Sequence, residues 1–207
     1  MELIVISSPT ALKKEASLIN ELFDAGLTIF HLRKPNSTGL EIANILKDIK
    51  PAYFSRISLH QHHQLSGNYP IKRLHFTEIE RLKTTALKLE ELKSKGYILS
   101  TSIHSQIDFQ NLNAHFDYSF VGPLFDSISK SEYKASVEKF VEVKDKTTLR
   151  FALGGICKEN LQDVFDLNFD GAAILGAIWS DPLKAIEKFN ELKEIQEKIN
   201  QYDLKNA

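Results

Sequence analysis

Apolar residues in this chain come in short runs, and the runs are separated by stretches where they recur every three or four positions. The first kind of pattern marks a buried strand and the second the inner face of a helix. Residues 2–7 (ELIVIS) predict a first strand, and Pro9-Thr10 opens a helix with Leu18, Ile19, Leu22 and Phe23 on one face before Gly26 ends it. Leu27 to Leu32 predicts a second strand, and Gly39 to Ile49 a helix built on Ile42, Ile45, Leu46 and Ile49. Short strands follow at Ile57 to Leu59 and Leu74 to Phe76, then a helix through Leu87 and Leu92 up to Gly96. Ile98 to Ile103 predicts a fifth strand, Ile107 to Phe116 a helix, and Tyr118 to Val121 a sixth strand that Gly122-Pro123 breaks. Residues Phe125 to Ser136 lack apolar periodicity and read as a mobile loop before a helix near Val137 to Val143. Asp181-Pro182 supplies an N-cap and first helical residue for a last helix carrying Leu183, Ile186, Phe189 and Leu192, with a frayed tail over 201–207.

The stretch from Leu149 to Trp179 has the plainest pattern. Leu149, Phe151 and Leu153 form an apolar run ending on Gly154-Gly155, and Leu161, Val164 and Phe165 give a helical face. Ala172 to Leu175 is a run with no polar alternation, as in a parallel strand buried on both sides, and Gly176 closes it. Four of the nine glycines fall between Gly154 and Gly176. Ordinary turn glycines would explain one Gly-Gly, but two glycine-tipped strand ends joined by one helix predict a cup of backbone N–H groups for a phosphate.

Eight strands thus alternate with helices at a period of about 25 residues with no linker, which predicts a single (β/α)8 TIM barrel occupying the chain as one domain. In that fold the last two strand ends are the usual phosphate site. A doubly wound open sheet would place its phosphate turn after the first strand, where this chain has Ser7-Ser8-Pro9.

Composition narrows the function classes. At 207 residues, 43% hydrophobic and 26% charged, the chain suits one sizeable core. A net charge of −1 offers no electrostatic footprint for nucleic acid or a membrane surface. No apolar run approaches the roughly 20 residues of a membrane span, and Met1 leads straight into a strand, so a cytoplasmic protein is expected. Cys157 is the only cysteine, which excludes an internal disulfide, and its place behind the glycine turn is weak ground for a nucleophile. The composition is compatible with a homo-oligomer.

In a barrel the carboxyl ends of the strands share one pocket. Arg33, His60, Gln61, His104, Ser127, Ser129, Lys130 and the glycine cup would face it, a set that suits a small phosphorylated substrate. His104 and His60 are candidate acid/base groups. Arg33 and Lys34 also read as solvated charges, and His75, between Leu74 and Phe76, as a packed barrel histidine. The run His60-Gln61-His62-His63 invites a zinc reading, but neighbours on a strand point to opposite sides and no spaced pair completes a tetrahedral set, so no metal is expected there.

With these residues laid out, the chain resembles the thiamin phosphate synthase/TenI family of (β/α)8 barrels over essentially its full length. The motifs are FHLRK, SIHS, VGPLFDSISK, FALGGI and GAAILGAI, in order. The resemblance implies an enzyme of thiamin biosynthesis acting on a thiazole phosphate. Synthases of the family join hydroxymethylpyrimidine pyrophosphate to the thiazole phosphate with Mg²⁺, using a Gln-x-Arg-x-Lys motif, an Asn-Asp pair and a later Asp. Here the first motif reads His31-Leu32-Arg33-Lys34-Pro35, the pair reads His60-Gln61, and only Glu80 stands near the later carboxylate position. A neutral amide is a poor ligand for so hard a cation.

The TenI branch is similar to this chain where it departs from synthases: a His-x-Arg strand, no Asn-Asp pair, and a histidine within Ser102 to Ser105. The likeness implies a metal-free thiazole tautomerase with no cofactor. His104 would be the acid/base, with Gly154, Gly155 and Gly176 on the phosphate and His31, Arg33, His60, Ser102, Ser127, Ser129 and Lys130 around the substrate. A Mg²⁺-dependent synthase using Glu80 is the alternative. A barrel that binds thiamin intermediates or regulates without catalysis is the third reading.

Overall fold

The computed structural model describes residues 1–110, 112, 114–126 and 148–206. Ser127, Ser129 and Lys130, the expected loop to Ser136 and the helix near Val137 to Val143 lie outside the described residues.

Eight parallel strands close in sequence order into a barrel, β1 pairing with β8. They are β1 (Glu2–Ile6), β2 (Ile29–Leu32), β3 (Ile57–Leu59), β4 (Arg73–Phe76), β5 (Ile98–Ile103), β6 (Tyr118–Val121), β7 (Leu149–Leu153) and β8 (Gly171–Ile174). Among the described residues the α-helices are α1 (Glu15–Asp24), α2 (Gly39–Lys47), α3 (Glu78–Lys83), α4 (Ala86–Ser94), α5 (Gln106–Gln110), α6 (Leu161–Asp166), α7 (Gly176–Trp179) and α8 (Ala185–Asn206).

Alternation along each strand sorts the buried side chains into two layers. Outward residues such as Leu3, Val5, Phe30, Leu32, Leu74 and Ile174 join the helix faces in one large core. A second cluster, Ile4, Ile6, Ile29, Tyr118, Phe120, Phe151 and Ala173, fills the barrel interior. That inner cluster is drawn from β1, the start of β2, and β6 to β8. On the other side of the interior the alternating positions hold His31, Ser58, His60, His75 and Ser100, all buried.

Several expected boundaries shift for local reasons. The helix expected from Pro9-Thr10 begins only at Glu15, after Lys14 takes a left-handed conformation at φ 55°. The intervening loop is held by the Lys34 ammonium, which donates to the Ser8 and Thr10 carbonyls at 2.7 and 2.8 Å and pairs with Glu15 at 2.5 Å. Lys34 is therefore buried, contrary to the reading of it as a solvated charge. The apolar face after β4 rests on Leu89, while Leu87 is exposed. A 3₁₀ turn over Pro182–Lys184 precedes α8 and leaves Leu183 outside the core, although Asp181 caps its own Leu183 amide as expected. The last helix continues past Tyr202 to Asn206, where a frayed tail was expected, with residues 201–205 exposed.

Lys34 and Glu15 form an ion pair away from water, and burial, outweighing the pull of Lys34, pushes the Glu15 carboxyl up. Removing one partner strands the other. Lys34→Met is expected to cost about 3–5 kcal/mol in urea denaturation, whereas Lys34→Met combined with Glu15→Leu should recover much of that loss.

Candidate active site

Two adjoining cavities open at the carboxyl end of the strands. The first, about 430 Å³, is bounded by Ser8, Gly154, Gly155, Ile156, Gly176 and Ala177 among others. The second, about 370 Å³, is bounded by Arg33, His60, His75, Glu78, Ser102 and His104 over a floor that includes Phe120. Leu153 and Leu175, at the ends of β7 and β8, belong to both walls. A ligand seated across that shared edge would place one end on the glycines and the other among the imidazoles.

The glycines serve different purposes. Gly154 and Gly155 adopt φ of 98° and 64°, and a Cβ on them would come within 2.8 Å of Pro123 and 2.4 Å of the Asp126 carbonyl. Their need for glycine is thus set by the loop after β6 packing on the turn, as much as by any ligand. Gly176 has open space where a Cβ would stand. It begins α7, so its amide and that of Ala177 have no partner within the helix.

His104 follows β5, and its Nδ1 lies 2.7 Å from the Gly122 carbonyl. A carbonyl only accepts, so Nδ1 carries the hydrogen and the neutral ring keeps its lone pair on Nε2. The imidazole thereby presents a base to the cavity it lines. Ser102 sits in the same wall and bonds His75 Nε2 at 3.0 Å. Arg33 lines the cavity from the end of β2 and adds positive potential that helps hold the His60 and His75 rings neutral. Cys157 lies outside both cavities, and burial raises its thiol pKa, opposite to the shift a nucleophile needs.

His31 is one layer deeper than expected. It has no exposure and is absent from the cavity wall, and its Nδ1 and Nε2 bond His60 Nε2 at 2.8 Å and the Tyr118 hydroxyl at 2.7 Å. His75 is packed as expected, bonding Ser100 at 2.9 Å, yet its ring also reaches the cavity floor. His62 and His63 diverge to the Ser37 and His75 carbonyls, so the run after β3 forms no joint site.

The three histidines that do converge are His31, His60 and His75, whose donor atoms lie within 4.8 Å of one another. Sequence reasoning missed them because each comes from a different strand. The signal was present in three fragments, Phe30-His31-Leu32, Leu59-His60 and Leu74-His75-Phe76, each an inward histidine following an outward apolar residue. As placed, His31 and His60 are joined by a hydrogen bond, while His75 bonds Ser100 and Ser102 instead. Two nitrogens 2.8 Å apart are closer than the roughly 3.3 Å separation implied by two metal–nitrogen bonds of about 2.0 Å at a tetrahedral ion. The His60 and His75 rings stack at 3.9 Å and 18°, so their in-plane lone pairs do not converge.

The sequence profile of the family described as Thiamine monophosphate synthase matches residues 3–178. The chain belongs to the thiamine monophosphate synthase/TenI family. Among curated relatives, the thiamine-phosphate synthase of Clostridium tetani is 27% identical over 186 residues, covering 84% of this chain and 88% of its own. That of Lysinibacillus sphaericus is 26% identical over 192 residues, covering 86% and 88%. Among solved structures, the thiamine phosphate pyrophosphorylase of Bacteroides thetaiotaomicron is 29% identical with a TM-score of 0.73, covering 95% of this chain and 98% of that one. The protein of that name from Pyrococcus furiosus, 19% identical with a TM-score of 0.75 and 96% of each chain covered, shares the fold.

Burial lowers the pKa of all three inward imidazoles, that of His75 from 6.5 to about 3, so the folded barrel holds them uncharged. The unfolded chain takes up protons below about pH 6.5 and the folded chain does not, so stability present above that pH falls as pH drops toward the folded values. Between pH 6.5 and the folded pKa the loss is about 1.4 kcal/mol per pH unit per imidazole. Urea denaturation at pH 7.5 and 5.5 should show the decline, with a shallower dependence in His75→Gln.

Proposed function

We propose that this family member is a metal-free thiazole tautomerase: it takes a proton from C2 of the ring of a thiazole phosphate and places one on the exocyclic carbon. The observation that carries the reading is His104, tied through Nδ1 to the Gly122 carbonyl so that Nε2 is a base, in a cavity sharing a wall with the glycine cup. The phosphate would rest on the amides at Gly154-Gly155 and Gly176, and the ring would cross Leu153 and Leu175 toward His104. Arg33, His60 and Ser102 line the ring's end of the cavity. Ser127, Ser129 and Lys130 complete the proposed substrate set by position in the family's loop motif.

The curated relatives carry the name of the synthase, which favours a second reading, a Mg²⁺-dependent condensation. The donor groups do not fit that ion among the described residues. Gln61 Oε1 accepts from the Lys34 amide at 3.0 Å, and the Glu80 carboxylate closes a capping box with Thr77 at the start of α3. Both are committed to the fold, and the described carboxylate in the cavity wall is Glu78 alone.

Purified protein assayed with carboxythiazole phosphate alone is expected to give the aromatic product, unchanged by EDTA. Product formed only from both synthase substrates with Mg²⁺ would transfer the assignment to the synthase. His104→Gln should lower kcat by about 10²–10⁴-fold with little change in KM. Wild-type turnover in that variant removes the proposed base.

The phosphate cup has its own test. Ala at 176 meets no neighbouring atom and suits a helix, so Gly176→Ala should fold normally while its methyl crowds the anion. KM is expected to rise roughly tenfold, equivalent to about 1.4 kcal/mol, with Tm unchanged. Gly155→Ala, by contrast, should destabilise the fold itself.

A further inference from the structure

His60, just after β3, lines the second cavity, yet its Nδ1 is shielded from water and has no hydrogen-bond partner among the described residues. A buried polar atom in that state is costly, and a ligand atom that meets it removes the cost. Which kind of ligand atom suits it depends on whether Nδ1 carries hydrogen. The neighbours of the ring decide that. His60 Nε2 lies 2.8 Å from His31 Nδ1, and His31 Nε2 lies 2.7 Å from the Tyr118 hydroxyl. The His60 ring meets His31 edge-on at 77° and stacks on His75 at 3.9 Å, which fixes its plane. Turning it over would put a carbon in place of Nε2 and lose the His31 bond.

Two neutral patterns satisfy the bond between His60 and His31. In the first, His31 Nδ1–H donates to His60 Nε2, and His60 carries its own hydrogen on Nδ1. In the second, His60 Nε2–H donates to His31 Nδ1, and His60 Nδ1 is a lone pair. Tyr118 breaks the tie. The first pattern leaves a lone pair on His31 Nε2, which accepts the phenol O–H. The second puts hydrogen on that nitrogen and leaves the phenol proton without an acceptor, since no other acceptor bonds it among the described residues. A phenol is also the better donor of the two groups, and an imidazole nitrogen the better acceptor. Burial disfavours charge on both rings, so neither holds two hydrogens. The donors therefore run from Tyr118 through His31 to His60, and His60 offers N–H at Nδ1.

His104 and His60 thus line one cavity with opposite polarity, a lone pair on the first and N–H on the second. A lone pair suits a C–H bond that is to be broken. An N–H suits an oxygen that gains charge as the bond breaks, and in a carboxythiazole that oxygen belongs to the acid group on C2. Arg33 in the same wall favours an anionic substituent, and the Glu78 carboxylate is paired with Arg81 at 3.9 Å. We infer that His60 Nδ1–H is a hydrogen-bond donor to the acid group at C2 of the bound ring, with His31 and Tyr118 as positioning residues that keep the hydrogen on that nitrogen. The inference rests on the tautomerase reading for its substrate and adds to it a partner for the charge that leaves C2.

The step balances. As His104 takes the C2 proton, the C–H electron pair is shared between the ring and the carboxylate, whose oxygens gain negative charge. His60 stabilises that charge by hydrogen bonding and keeps its own proton. The double bonds then shift along the ring, the exocyclic carbon takes a proton from the His104 imidazolium, and the carboxylate returns to a single charge. A neutral imidazole does this without an ion being buried beneath the substrate.

Nitrogen-15 spectra of the imidazoles near pH 7 read the donor without turnover. His31 and His60 should both carry hydrogen on Nδ1, against the Nε2–H form that free histidine prefers, and in equal fractions because one hydrogen lies between them. Tyr118→Phe keeps the ring and removes the phenol donor, so the Nδ1–H fraction should fall at both residues together. Binding of the aromatic carboxythiazole phosphate product should shift the His60 Nδ1–H proton downfield, and the same thiazole phosphate without the acid group should not. In turnover, His60→Leu should lower kcat about 10²–10³-fold with a smaller rise in KM. His60→Asn, whose amide N–H can stand where Nδ1 stands, should recover part of that loss. Nε2–H at His60 in wild type overturns the donor, as does a proton shift that is the same, or absent, with both ligands. Wild-type kcat in His60→Leu while His104→Gln is inactive also overturns it, and leaves the tautomerase reading in place. The Nδ1–H tautomers and the acid-dependent shift, found in a protein that turns over no thiazole, uphold the donor and refute the tautomerase reading.

Discussion

The interior of a closed eight-stranded barrel has no water to spare, and every polar group placed there must find its partner within the ring of strands. This chain places three imidazoles and several hydroxyls on one side of that interior and lets apolar side chains together with Tyr118 fill the other. The consequence is a network in which His31 is bound on both nitrogens and His75 on both of its own. The site depends on that constraint. It keeps the rings neutral, sets their orientation, and leaves His60 Nδ1 as the polar atom that meets the cavity without a described partner.

Around this floor the mouth is assembled from local features with separate causes. The turn at Gly154-Gly155 exists because the backbone after β6 passes too close for a side chain, and the same passage brings the Gly122 carbonyl to His104. One loop therefore shapes the glycine turn and fixes the tautomer of the candidate base. On the opposite side, Lys34 has left the role of a surface cation to anchor the segment between β1 and α1, and Gln61 accepts from the Lys34 backbone amide. Gln61, which stands where the resemblance would put a metal-binding residue, is here committed to holding a loop.

Family membership and fold agree with each other, and neither decides the reaction. Relatives sharing about a quarter of their residues carry the synthase name, while the described polar groups in the cavity are imidazoles, hydroxyls, one guanidinium and the Glu78 carboxylate. A shared barrel carries different chemistries because the reacting groups sit at strand ends, where single substitutions alter the donor set without disturbing closure.

The alternation of apolar runs and helical faces by itself determined the eight-stranded barrel, and the glycine-tipped ends of β7 and β8 marked turns that line one cavity at the mouth. Both are legible because they depend on period and on residues with one conformational use. His104 was legible too, as the polar end of an apolar strand. Only the tertiary structure decided that His31, His60 and His75 meet, since strand register and barrel curvature bring together residues 15 to 44 positions apart, and no local pattern encodes that approach. It also decided that Lys34 is buried and that Leu183 is not, because each outcome depends on which neighbour arrives from elsewhere in the chain.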